Sequence, residues 1–127
     1  MPEKNAHRLG KAPTTWAAAD AICKANNGNL ASVQSSSSQR ELEALCGGTA
    51  CWIGGKKLPG ETSKWGWSDG SGGSFTAFAF GGDSGVNNPG KTALMINAAG
   101  HWEFDFENAQ HAFVCEFGKM MQARRRL

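Results

Sequence analysis

Four cysteines in a chain of 127 residues, Cys23, Cys46, Cys51 and Cys115, limit the architecture more than any other feature. No Cys-x-x-Cys pair occurs and the three histidines, His7, His101 and His111, are scattered, so the spacing is not that of zinc ligands. In a small chain with 17 glycines the cysteines read as two disulfides made in an oxidising compartment. The length and a hydrophobic content of 40% suit one domain able to bury a core, with no room for a second. The glycines concentrate between positions 47 and 100 without a collagen-like period, which points to many turns and a loop-rich middle.

The formal charge of +2 comes from the end of the chain, where "KMMQARRRL" at 119 to 127 holds four bases. Residues 1 to 118 carry nine bases against eleven acids, so the body is mildly acidic. It lacks the basic surface interleaved with aromatics that nucleic acid requires, and 119 to 127 is expected to be a basic tail or linker after a domain of residues 1 to 118. No apolar run is long enough to span a membrane, and "MPEKNAHRLG" has no apolar signal segment. The expectation is a domain of a longer secreted or surface protein.

Local signals place two helices. Thr15 is an N-cap candidate for "WAAADAICKANN", with Gly28 as a left-handed stop, and Ser36-x-x-Gln39 has the form of a capping box opening a second helix through "QRELEAL". In that second helix Leu42 and Leu45 face inward and Arg40, Glu41 and Glu43 face solvent. Short strands follow at "CWIGGKKL", "KWGWSDG", "ALMIN", "HWEFDF" and "AFVCEF". Lys56-Lys57 reads as a solvated turn. Between Gly70 and Thr92 lies a loop with seven Gly and three Phe, longer than a compact domain keeps without a purpose.

"HWEFDFE" at 101 to 107 alternates aromatic and acid, so a strand there puts Trp102, Phe104 and Phe106 on one face and Glu103, Asp105 and Glu107 on the other. Acids at alternate positions stand about 6 to 7 Å apart per step, too far for three carboxylates of one straight strand to share an ion. A metal here needs the loop to bring Asp83, Asn87 or Asn88 over Glu103 or Asp105. The same spacing argues against a glycosidase, since neighbours on one strand cannot straddle a glycosidic bond.

Taken in order, "TWAAADAICKANNGNLASVQS", "CWIGG", "WGWSDGSGGSFTAF" and "GHWEFDFENAQHAFVCEF" resemble the C-type lectin-like domain family from about Arg8 to Phe117. The carriers are Trp16, Ala19, Cys23, Asn29-Leu30-Ala31 and the closing Phe113-Val114-Cys115-Glu116. The resemblance implies an α+β fold with two helices flanking small antiparallel sheets and a long Gly-rich loop that forms the ligand site. It also implies a disulfide from Cys23 to Cys115, which leaves Cys46 to Cys51. A further bridge usual in the family falls on Ala93 and Glu107 here and cannot form, so the long loop loses its usual tether.

Sugar-binding members hold calcium through loop carboxylates and amides and a Trp-Asn-Asp motif. By resemblance Trp102 matches that Trp, Glu103 takes the Asn position and Phe104 takes the Asp position. Asn87 matches the loop Asn, Gly85 and Val86 stand at its Glu and Pro, and Lys91 falls where a later Glu belongs. The chain is therefore expected to be a noncatalytic recognition module, extracellular or at the cell surface. It is expected to bind a protein or other ligand through the 70 to 92 loop without the usual calcium-sugar geometry, with Phe80, Asp83, Asn87, Asn88 and Glu103 as contacts. The alternative is a carbohydrate-binding lectin with a rearranged calcium site drawn from Asp83, Asn87, Glu103 and Asp105. A hydrolase using Ser84 of "GGDSGV" is disfavoured, because no histidine lies in a matching context to take its proton. Trp16, Trp52, Trp67 and Trp102 sit at family core positions, as does Phe78, whereas Trp65 is open to exposure and Phe80 is the aromatic expected to reach a partner.

Overall fold

In the computed structural model, which describes residues 6 to 80 and 84 to 118, the two helices form where their caps predict, with shifts of one residue. Helix α1 spans Trp16–Ala25, and the Thr15 hydroxyl accepts from Ala18 N. Its left-handed residue is Asn27, with φ 66°, and not Gly28. Gly28 serves a different end: a Cβ there would lie 2.6 Å from the Glu116 carbonyl oxygen, so only glycine lets the chain pass so close to the last strand. Helix α2 spans Ser36–Cys46 and is capped by Ser35, whose hydroxyl accepts from Ser38 N, while Gly47 closes it in the left-handed conformation. The expected capping box at Ser36 is thus displaced, and Gln39 turns inward instead.

The strands are β1 (Ala6–Thr14), β2 (Asn29–Leu30), β3 (Cys51–Lys57), β4 (Trp65–Trp67), β5 (Ala93–Ile96), β6 (Trp102–Asp105) and β7 (His111–Phe117). They join in one mixed sheet of order β1-β7-β3-β5-β6, with β2 on β7 and β4 on β3. All pairs are antiparallel except β3 with β7, whose parallel register sets Cys51 against Ala112 and Trp52 against Phe113. One continuous sheet therefore replaces the separate small sheets expected within the α+β fold. Strand β1, which sequence patterning did not mark, pairs with β7 along the edge.

Two apolar clusters fill the domain. One gathers Val33, Leu42, Ile53, Leu94, Trp102, Phe104 and Val114, and the other places Trp16, Ala19 and Cys23 of α1 against Leu30, Trp52 and Phe113. Both disulfides form, Cys23–Cys115 tying α1 to β7 and Cys46–Cys51 joining the end of α2 to the start of β3. Trp16, Trp52, Trp67 and Trp102 are buried as expected, with Trp16 Nε1 donating to Ile53 O at 2.9 Å and Trp52 Nε1 to Thr14 O at 2.8 Å. Trp65 departs from the expectation: it is half-buried and makes edge contacts with Trp67, Phe78, Trp102 and Phe104. Among the described residues no helix is long and apolar enough to cross a membrane. The basic tail at 119 to 127 lies outside the described residues.

The edge strand is pinned by a charge-sensitive contact. His7 Nε2 lies 3.1 Å from Glu116 Oε1 of β7, and Nδ1 approaches Glu41 Oε1 of α2 to 3.1 Å without hydrogen-bond alignment. Burial on its own lowers an imidazole pKa, but the two carboxylates outweigh it and hold His7 above its ordinary value of 6.5. A histidine raised in this way adds stability that is fully present below its unfolded value and lost as the pH climbs through the folded one. Urea midpoints measured upward from pH 6.5 are expected to fall for the native chain relative to His7→Gln; a constant difference between the two contradicts the assignment.

Candidate functional site

The long loop is stitched to the sheet at both ends. Ser32 Oγ donates to Asp69 Oδ2 at 2.7 Å, and Asp69 Oδ1 accepts from Ser71 N, which folds the loop's start against the segment before α2. Further on the loop runs beside β6: Trp102 N donates to Ala77 O at 2.8 Å and Ala79 N to Trp102 O at 2.9 Å, with Phe78 bridged to Trp102. The next described stretch, Ser84 to Lys91, makes two turns, in which Asn88 N donates to Gly85 O and Lys91 N to Asn88 O. Residues 81 to 83 lie outside the described residues, and with them the predicted contact Asp83.

Lys57 overturns the reading of Lys56-Lys57 as a solvated turn. Strand β3 continues through both, and alternation from Cys51 and Ile53 directs Lys57 to the inner face, where it is 5% exposed. Its ammonium donates to Gly85 O at 2.9 Å and Asn88 O at 2.8 Å and lies 4.8 Å from the centre of the Phe104 ring. Burial pushes its pKa below the ordinary lysine range. Lys56 is engaged as well, 3.0 Å from Glu107 Oε1 and over the Trp16 ring.

Each acid of "HWEFDFE" has its own protein partner. Glu103 Oε2 accepts from Asn97 Nδ2 at 2.8 Å, Asp105 Oδ2 meets His111 Nε2 at 2.8 Å, and Glu107 accepts from the Thr92 hydroxyl and faces Lys56. The Thr92 hydrogen bond, followed by the Lys56 ammonium, holds the Glu107 carboxyl below the usual carboxylate range against the opposing effect of burial. Glu107, one of the two positions at which the resemblance places a family disulfide, thus ties down the end of the loop by hydrogen bonding. The strand ends at Asp105, so Phe106 does not share the buried face of Trp102 and Phe104; it is 47% exposed, with Lys91 Nζ 5.5 Å from its ring centre.

The remaining predicted contacts gather around Lys91. On one side Phe80, 83% exposed, stacks edgewise on His101 at 5.9 Å over an open depression of about 560 Å³ whose floor includes Asn97 and Glu103. On the other side Asn87, Asn88 and Pro89 line a second depression of about 450 Å³. Asn88 Oδ1 accepts from Gly90 N, while Asn87 is exposed. Lys91, His101 and Asn97 were not singled out as contacts from sequence. The signal for His101 lay in its place at the start of the aromatic-acid alternation. Ser84 is buried, and its hydroxyl accepts weakly from Val86 N at 3.4 Å. His7 and His111 are committed to carboxylates and His101 to Phe80, so none is bonded to Ser84 as a base.

Calcium takes about six to eight oxygens at roughly 2.3 to 2.6 Å. Here Phe104 is a fully buried ring, Glu103 is occupied by Asn97, and the turn carbonyls of Gly85 and Asn88 already receive an ammonium. Among the described residues no group of three or more His, Cys, Asp or Glu is placed to hold a metal ion.

Two helices on a mixed sheet, a Cys23–Cys115 bridge between first helix and last strand, and a long loop stitched beside β6 define a C-type lectin-like domain. Residues 12–117 match the lectin C-type domain family, and the chain belongs to it. Among solved structures the fold matches a calcium-independent type II antifreeze protein with a TM-score of 0.80 at 20% identity, covering 91% of this chain and 88% of that one. It matches the C-type carbohydrate-recognition domain of cow CD23, solved in the presence of a GlcNAc2Man3 oligosaccharide, at 0.78 and 24%, covering 90% and 88%. Human lithostathine matches at 0.79 and 26%, covering 94% and 100%. A C-type lectin receptor-like tyrosine-protein kinase of Arabidopsis thaliana is 38% identical over 63 residues, which are 46% of this chain and 11% of that protein's length. Domains of this family are in general noncatalytic recognition modules that bind glycans or proteins.

Proposed function

We propose that this domain recognises a protein or glycan ligand without calcium, through the rim formed by the 70 to 92 loop and β6. The observation that carries the reading is Phe80, a large ring left 83% exposed beside His101, above a depression that also offers Lys91, Asn97 and Glu103. An isolated exposed aromatic costs solubility and adds nothing to the core, whereas in an interface it is the kind of side chain that carries binding energy. Asn87 and Asn88 extend the same rim past Lys91. The polar groups already satisfied within the chain favour a ligand that meets a finished surface over one that completes a metal shell. The receptor-like relative supports placing such a domain in a longer protein at the cell surface.

Arrays of glycans and of extracellular protein domains, probed in calcium and in chelator with the native chain and Phe80→Ala, test this. The expected result is a ligand retained in chelator and weakened at least about tenfold by Phe80→Ala, equivalent to about 1.4 kcal/mol. Stability should stay within about 0.5 kcal/mol, because the ring is on the surface. A ligand that requires calcium and ignores Phe80→Ala contradicts the reading and restores the rearranged calcium lectin.

A further inference from the structure

We propose that Lys57 is the positioning residue of the binding loop, its ammonium acting as a covalently attached cation that fixes the Ser84 to Lys91 turns on the sheet. The argument begins with strand phase. Cys51, Ile53, Gly55 and Lys57 alternate onto one face of β3, and a Cβ at Gly55 would meet Leu94 at 2.5 Å, so the face leading to Lys57 is closely packed. The side chain runs along this face and emerges beneath the loop, where its ammonium meets Gly85 O at 2.9 Å, Asn88 O at 2.8 Å and the Phe104 ring at 4.8 Å.

These described partners are uncharged, and their common property is negative potential: two carbonyl dipoles and the face of a π system converge on one point. A buried cation is costly unless such groups surround it, so its position on this strand implies that the loop is arranged around it. The two turns have their own backbone hydrogen bonds, Asn88 N to Gly85 O at 3.1 Å and Lys91 N to Asn88 O at 3.2 Å, and do not need Lys57 to exist. What the ammonium adds is their attachment to the sheet. It reaches the carbonyls at both ends of the first turn, and Gly85 accepts this close seat with φ +72°, its Cβ position 3.0 Å from Phe104 O. The rim that carries Asn87, Asn88 and Lys91 is thereby held next to Phe80 without a dissociable ion.

Only the consequence for binding rests on the proposed function; the order of the loop is measurable with no ligand present. Hydrogen exchange of peptides covering 84 to 91, with β5 and β7 peptides as reference, is compared in the native chain, Lys57→Met and Lys57→Ala. Methionine keeps the reach and apolar stem but has no donor, and alanine leaves space for propylammonium, with propanol as the uncharged control. The expected result is exchange at least about tenfold faster in 84 to 91 of Lys57→Met, with reference strands unchanged. Protection in Lys57→Ala should return with propylammonium and not with propanol. Unchanged loop protection in Lys57→Met, or equal recovery with propanol, overturns the proposal. So does loss of protection across the whole domain in both variants, which makes Lys57 a residue of general stability. Any of these outcomes leaves the Phe80 binding test standing on its own.

Discussion

Replacing Cys23 and Cys115 together by serine is expected to lower the unfolding free energy by about 4 to 5 kcal/mol, the chain entropy restored to a denatured state that loses a cross-link of 92 residues' separation. The bridge joins the middle of the first-helix cluster to β7, which pairs with β1, β2 and β3. A domain of this size has about 5 to 15 kcal/mol in all, so the bridge is worth a third or more of the total. The second bridge, with a separation of five residues, should be worth only about 2 kcal/mol by the same entropy argument. Urea midpoints of the two double-serine variants decide the matter. Equal losses, or a larger loss for Cys46 and Cys51, would show that loop entropy does not govern these bridges.

The other large effect is expected at Trp102. Its ring is fully buried among Trp67, Phe75 and Phe78, with centroid distances of 5.3, 6.0 and 5.3 Å, and Nε1 donates to Gln39 Oε1 at 2.8 Å. Gln39 in turn donates to Gly100 O at 2.7 Å, so one indole links α2 and the β5–β6 turn. Truncating a buried Trp to Ala costs about 3 to 5 kcal/mol, and the orphaned amide oxygen of Gln39 adds about 1 to 3. Trp102→Phe separates the two contributions by keeping most of the ring and deleting the donor. Denaturation is expected to place Trp102→Phe about 1 to 3 kcal/mol below the native chain and Trp102→Ala well below both. Near equality of Trp102→Phe and the native chain would mean that the Gln39 link contributes nothing.

What the sequence disclosed followed from local rules. Caps marked both helices because Ser and Thr beside a helical run have few other uses, and short aromatic or apolar runs bounded by turns marked β3 to β7, with apolar-polar alternation legible in β6. Strand β1 was invisible for the opposite reason. "AHRLGKAPT" buries no residue completely and is held by backbone bonds to β7, which leave no mark on side-chain pattern. Gln39 gave a false capping box because its real partners, Trp102 and Gly100, are some sixty residues away in the chain.

The site was legible to a lesser degree. The replacement of an expected Asp by Phe104 could be read directly, and so could the independence of the acids of "HWEFDFE", although Glu107 lies past the end of β6. Lys57 was misread because two adjacent lysines after a Gly pair have the composition of a turn, although the phase from Ile53 pointed the second inward. Its partners are main-chain carbonyls, which any sequence supplies and no motif records. Phe106 was misplaced because alternation does not say where a strand stops. The outward position expected of Phe80 agrees with its exposure, whereas Lys91 and His101 beside it depend on how the loop lies against β6.

The central claim, recognition by a calcium-free loop held on an internal cation, is tested most directly by thermal unfolding of the native chain in millimolar calcium and in chelator, with calorimetric titration of calcium alongside. The expected result is the same midpoint in both and no heat of binding. A ligand bound only to the folded state at 100 times its dissociation constant adds about 2.7 kcal/mol. An upward shift of that order, with a saturating heat, would mean that calcium has a site in this loop and would contradict the role given to Lys57.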